Sequence, residues 1–109
     1  MRTHLIARYH HRVARAAVSE ITHFMAGDKY TTAFYPGGEL LIEESLKSLE
    51  HEFPDFIRTH RSILVRRDLV DEYVSVDRKA GHVRLRGVHE PLPVSLANIG
   101  AVKALFAEA

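Results

Sequence analysis

The chain has 109 residues, enough for one domain with a core of its own, and its 46% hydrophobic and 27% charged residues are ordinary for a globular protein. It contains no cysteine, which excludes disulfides, thiolate catalysis and cysteine-based zinc sites, and no apolar run near the ~20 residues of a membrane span. A net charge of +1 with a pI near 8.2 does not by itself mark a nucleic-acid binder.

The cysteine-free composition fits a reducing compartment, and a cytoplasmic location is expected. Met1-Arg2-Thr3-His4 leads into only a short apolar run, unlike a signal peptide. Thr3–Tyr9 reads as a strand and Arg12–Ala16 as its hairpin partner across His10-His11. Val18–Glu20 reads as a turn or a single helical turn. Ile21–Met25 is the next strand, consistent only with burial on both sides. Ala26-Gly27-Asp28-Lys29 is a turn by composition, with Gly27 the expected supplier of positive φ. Tyr30–Tyr35, rich in threonine and aromatics, suits a pleated surface. It turns at Pro36-Gly37-Gly38 and pairs back through Glu39–Ile42.

A helix is expected over Glu43–Phe53, with Ser45 as N-cap, an apolar stripe of Leu46, Leu49 and Phe53, and Glu50 and Glu52 turned to water. Pro54 ends it. Ile57–Val65 is extended, with a break near His60-Arg61, and Arg66-Arg67-Asp68 turns the chain. Val70–Asp77 and His82–Arg86 read as strands joined by Arg78-Lys79-Ala80-Gly81. Leu92-Pro93-Val94 is a strand that its proline confines to an edge. Ser95 is positioned to cap a final short helix whose apolar spacing is Leu96, Ile99, Val102 and Phe106. Short strands broken by turn signals, with two short helices, predict a mainly β fold of antiparallel sheets over residues 1–109.

Enzyme signatures are missing. Pro36-Gly37-Gly38 lacks the lysine and helix of a phosphate loop, and there is no nucleophile elbow. The histidines have no metal-ligand spacing, and adjacent pairs such as Glu43-Glu44 do not share a face, so neither a metal nor a cofactor is expected. Charge distribution says more than net charge. Glu39, Glu43, Glu44, Glu50, Glu52 and Asp55 face a single base, Lys47, and are followed at once by Phe56–Arg67, which has four arginines, one histidine and no acid. That suggests a bipolar molecule with one face toward an anion. Arg58, Thr59, His60, Arg61 and Ser62 supply the residue types that grip phosphates and read guanine. The plain alternative is a solvated basic face. Neither predicted helix is basic, so a DNA contact would have to come from loops.

Four segments in order resemble one family. Ile21–Tyr30 (ITHFMAGDKY), Ser45–Glu50 (SLKSLE), Phe56–Val65 (FIRTHRSILV) and Leu92–Ser95 (LPVS) look like the LytTR-type DNA-binding domain, in a flavour close to regulators of alginate and virulence genes. The resemblance spans roughly Thr3–Phe106. It implies an elongated array of small antiparallel sheets, with one short helix near 45–53 and a short C-terminal helix. It also implies a transcriptional regulator that binds double-stranded DNA at tandem repeats in promoters, inserting loops into successive major grooves, with a homodimer on DNA as a possibility. Members commonly carry a phosphoacceptor receiver domain ahead of this one, which would make the chain a fragment, a standalone member or a piece once joined to a membrane segment.

Carried over by position, the loop between the third and fourth strands contributes Lys29, Tyr30 and Thr31, beside Asp28. The loop after the helix contributes His60, Arg61 and Ser62, with Arg61 the expected base reader. Arg58 resembles the arginine that braces this loop, Lys29 and His60 are expected to read or position, and Ser62, Ser95 and Arg66 are assigned to phosphates. Where many members carry an arginine for a third contact, this chain has Leu96-Ala97-Asn98, leaving three options: Asn98 serves, base reading is weaker, or Leu96 is core and Ser95 only touches phosphate. A LytTR-like protein-interaction domain with weak or lost DNA binding is the competing function.

Overall fold

A computed structural model describes residues 1–107. The chain runs β1 (His4–Arg8), β2 (Val13–Ala17), β3 (His23–Ala26), β4 (Thr31–Tyr35), β5 (Gly38–Ile42), α1 (Leu46–Glu52), β6 (Phe56–His60), β7 (Ile63–Arg66), β8 (Val70–Ser75), β9 (Ala80–Leu85), β10 (Leu92–Ser95) and α2 (Leu96–Ala104). Single 3-10 turns at Val18–Glu20 and Arg67–Leu69 bridge β2 to β3 and β7 to β8. The strands form a β1–β2 hairpin, a five-stranded sheet ordered β5-β4-β3-β7-β6, and a three-stranded sheet ordered β10-β9-β8, with every pairing antiparallel. The body is elongated, 46 × 29 × 26 Å.

The five-stranded sheet is covered on both faces, and strands β3 and β7 at its centre explain the apolar runs in the sequence. Side chains of a strand alternate between faces. On β7, Leu64 enters a core with Leu5, Phe24, Leu40, Leu49 and Phe56, which joins the sheet to the β1–β2 hairpin and α1. Ile63 and Val65 enter a second core with Val83, Leu85, Leu92, Val94 and Val102, which joins the sheet to β8–β10 and α2. A strand wedged between two cores must be apolar at every position, hence Ile63-Leu64-Val65. Full burial of a side chain such as Leu64 contributes about 1.5–3 kcal/mol. The two-sided burial expected of Ile21–Met25 holds as well, with Ile21, Thr22, His23 and Phe24 all buried.

Helix α1 begins three residues later than the sequence pattern starts, at the position its cap dictates. The Ser45 hydroxyl accepts the Ser48 N–H at 3.1 Å, so Glu43 and Glu44 stay outside the helix. The stripe of Leu46, Leu49 and Phe53 is buried as expected. Glu50 and Glu52 are not simply solvated. Glu50 pairs with Arg58 at 3.0 Å and Glu52 with Arg2 at 2.6 Å.

In α2 the apolar spacing misleads. Val102 is buried and Ile99 half-buried, but Leu96 is 58% and Phe106 40% exposed. Ser95 stands at the N-cap, yet its hydroxyl accepts from the Asn98 side chain at 2.8 Å and caps no backbone N–H. Positive φ occurs at Gly37 (89°) and Gly87 (81°), whereas Gly27 turns the chain without it. Gly81, expected in a turn, lies inside β9, where a Cβ would come within 2.7 Å of the Tyr73 ring packed over it. Pro93 sits on β10 at the sheet edge, as its missing N–H requires.

Candidate nucleic-acid interface

Two loops leave the same end of the five-stranded sheet. The β3–β4 loop is closed by Gly27 N–H donating to the Tyr30 carbonyl at 2.8 Å, which lifts Asp28 and Lys29 into solvent. The β6–β7 loop begins at a bulge. Arg58 pairs with Leu64 and His60 with Ile63, so Thr59 is the extra residue that bends the strand end away from the ladder. The two loops are tied together, because Ala26 N–H donates to the Ser62 carbonyl at 2.9 Å. Neither loop can move far without breaking a bond to the other.

Inside the second loop most polar atoms are committed. Arg58 donates to the Arg61 carbonyl at 3.2 Å and to Glu50 Oε1 at 3.0 Å, linking the loop to α1. The Ser62 N–H donates to His60 Nδ1 at 3.2 Å, and the Ser62 hydroxyl lies 2.9 Å from the same nitrogen. The ring nitrogen thus accepts from the loop backbone and fixes the turn. Arg61 is thereby lifted out by a loop whose backbone is held by its neighbours, and its own side chain is exposed. A groove of about 350 Å³ runs between the loops and the start of α1, lined by Lys29, Tyr30, Lys47, Arg58 and Arg61 as well as Asp28, Glu43 and Glu44.

The acidic block is less free than its composition suggests. Arg2 reaches from the N-terminus to Glu44 and Glu52, and its guanidinium lies 5.6 Å from the Phe53 ring centre. Hydrogen bonding to Arg2 holds Glu52 below the usual carboxylate range and raises Arg2 itself. With Glu50 bound to Arg58, three of the six acids are paired with two arginines, which blunts the bipolar character expected from the linear charge pattern.

A family model described as the LytTr DNA-binding domain matches residues 11–107. The chain belongs to the LytTR DNA-binding family. It is 32% identical over 107 residues to the positive alginate biosynthesis regulatory protein of Pseudomonas aeruginosa PAO1, a match that covers 96% of this chain and 43% of the relative. The chain therefore spans less than half of that protein's length. The fold is also that of the LytTr DNA-binding domain of a Bacillus cereus protein described as a methyl-accepting/DNA response regulator. The TM-score is 0.84 at 19% identity, covering 96% of this chain and 97% of that one. LytTR is a family of DNA-binding domains and not of enzymes, and its partner is DNA.

Within this LytTR domain the residues singled out by sequence separate into groups. Lys29, Tyr30 and Arg61 are exposed and close to one another. Arg58, His60 and Ser62 are half-buried and hold the loop's shape. Thr31 is placed differently from Lys29 and Tyr30. It is only 4% exposed, and its hydroxyl donates to the Glu44 carbonyl at 2.7 Å, stitching β4 to the segment before α1.

Arg66, assigned to phosphate from the sequence, is engaged within the fold. It lies at the far end of β7, ~13 Å along the strand from Ser62. Its Nε donates to the Ile21 carbonyl at 2.8 Å and another nitrogen to the Val18 carbonyl, while the guanidinium stacks 4.5 Å from the Phe56 ring centre. Ser95 and Asn98 bond to each other outside the groove, and Leu96 is solvent-exposed where a core residue was one expectation.

Sequence reasoning missed the Arg58–Glu50 and Arg2–Glu44/Glu52 links, because pairs separated by 8, 42 and 50 residues leave no local pattern. It also missed the β1–β2 hairpin as a charged surface. That signal was present, since no acid occurs before Glu20.

Proposed function

We propose that this LytTR domain, residues 1–109 acting as one unit, is the output domain of a two-component transcriptional regulator. It reads double-stranded promoter DNA with the β3–β4 and β6–β7 loops. The observation that carries this is the Ala26–Ser62 hydrogen bond, which sets a Lys29-bearing loop and an Arg61-bearing loop side by side as one preorganised unit. Arg61 reads a guanine edge, Lys29 and Tyr30 position the duplex, and His60 and Ser62 keep the Arg61 loop in shape. Insertion of loops into successive major grooves is carried into this proposal from the family resemblance. Tandem repeats and a homodimer on DNA belong to the same proposal. The names of the Pseudomonas and Bacillus relatives support the regulator reading, and such work would be done in the cytoplasm.

Selection of duplexes from a randomised library, followed by salt titration, tests this reading. Arg61→Ala is expected to lose ~1–3 kcal/mol of discrimination, about 5- to 150-fold, at one position of the motif. Lys29→Ala should weaken all sequences alike and flatten the salt dependence by about one unit of slope. If both variants select and bind the parent's motif unchanged, the loop assignment is wrong.

The exposed Leu96, with Asn98 held by Ser95, favours a second reading in which the domain has kept the fold but binds another protein. A parent protein that retains no library DNA at low salt would favour it.

A further inference from the structure

The β1–β2 hairpin is the most cationic stretch whose charge nothing else in the protein uses. Arg2 at its base is neutralised by Glu44 and Glu52. Arg8, Arg12 and Arg15 are exposed, and among the described residues none has an acid within ion-pair distance. Its inner face is committed to the core through Leu5, Ala7 and Ala16, so the register is fixed and the arginines must face outward.

The tip is not a loose arm. Tyr9 N–H donates to the Arg12 carbonyl at 2.8 Å, and the Tyr9 hydroxyl accepts the Leu41 N–H at 3.0 Å. The Arg12 guanidinium lies over Tyr9, 4.1 Å from the ring centre.

The anchor point decides which way the tip faces. Leu41 and Ile42 end β5, and Ile42 pairs with Thr31 at the root of the β3–β4 loop. The hairpin tip therefore lies at the same end of the sheet as the two loops. Arg8 and Tyr30 line one shallow depression, with exposed Glu43 also lining it. Three turns thus stand in a row at one end of the molecule, carrying Arg12, Lys29 and Arg61.

We infer that the β1–β2 hairpin is a further DNA-contacting element. Arg8 and Arg12 grip backbone phosphates of the duplex flanking the sequence that the β3–β4 and β6–β7 loops read. This inference rests on the proposed function of those loops. Unpaired guanidiniums held on a rigid hairpin suit phosphate contact, and a contact to backbone alone adds affinity and salt dependence without changing which sequence is chosen.

The test uses the full chain and the duplex the parent selects from a randomised library, both trimmed to the selected motif and with flanking sequence. The Arg8→Ala/Arg12→Ala double variant is expected to select the same motif and bind the trimmed duplex like the parent. On the flanked duplex its plot of log affinity against log salt should be shallower by about two. Arg12→Lys, which keeps the charge, should retain most of the parent's slope. Its matching thermal unfolding would show that the hairpin tolerates substitution.

Parent-like binding of the flanked duplex by the double variant overturns the hairpin role. So does an equal loss on both duplexes, or an altered motif. In each of these cases the loop reading still stands if Arg61→Ala relaxes sequence preference. A parent that retains no DNA overturns both.

Discussion

Arg66→Ala is expected to destabilise the fold by roughly 2–4 kcal/mol while leaving the sequence preference of the folded fraction unchanged. The side chain donates charge-assisted bonds to the carbonyls of Ile21 and Val18 and stacks on Phe56, which is 2% exposed. Those carbonyls belong to the turn that carries the chain from the hairpin into the central strand β3. Removing the guanidinium leaves them without that donor beside a core, where a missing partner is costly. Arg66→Lys should fail in the same direction, since one ammonium cannot serve two diverging carbonyls and a ring face. Urea unfolding of parent and variants measures the loss. A midpoint equal to the parent's, combined with a flatter salt dependence of DNA binding, would return Arg66 to the phosphate-binding role that its position in a basic run suggests.

Arg66 also shows where sequence is informative and where it stops. Alternation, turn residues and the four LytTR-like segments made the strands, their antiparallel pairing and the α1 stripe legible, because each depends on neighbours in sequence. The Phe56–Arg67 run looked like one cationic surface. In three dimensions its arginines have different tasks. Arg58 binds Glu50 and the Arg61 carbonyl, Arg61 is exposed, Arg66 braces β3, and Arg67 donates to the Pro54 carbonyl at 3.0 Å.

The four lie on two strands, a loop and a 3-10 turn, so their closeness in sequence does not make them one surface. Thr31 is turned inward by its strand. Its place beside Lys29 and Tyr30 is correct, but the strand begins at Thr31 and turns its hydroxyl inward to the Glu44 carbonyl. The α2 stripe failed because only its middle meets the second core. Val102 is buried there, while Leu96 and Phe106 lie beyond it.

Acid should destabilise the domain through His23, well before most carboxylates are protonated. His23 is 5% exposed in the central strand, paired with Val65 on one side and Phe34 on the other. It stacks on the Phe34 ring at 4.4 Å and 7°, and its Nδ1 lies 2.7 Å from the Thr22 hydroxyl. Burial lowers its pKa from 6.5 to about 4. Between those values the unfolded chain takes up a proton that the folded chain refuses, so stability rises with pH across the window. The contribution is fully present above pH 6.5, falls as the pH is lowered, and levels off below about 4. Its total is on the order of 3 kcal/mol.

His23→Phe preserves a flat ring against Phe34 and removes the titration. Thr22 keeps a partner in that variant, since its hydroxyl reaches the Phe34 carbonyl at 3.3 Å. The difference in unfolding free energy between parent and His23→Phe should therefore change by a few kcal/mol from pH 7 to pH 4.5, with the variant gaining on the parent as acid is added. Parallel curves for the two proteins would mean that His23 is protonated in the fold and that the sheet centre admits more water than its burial indicates.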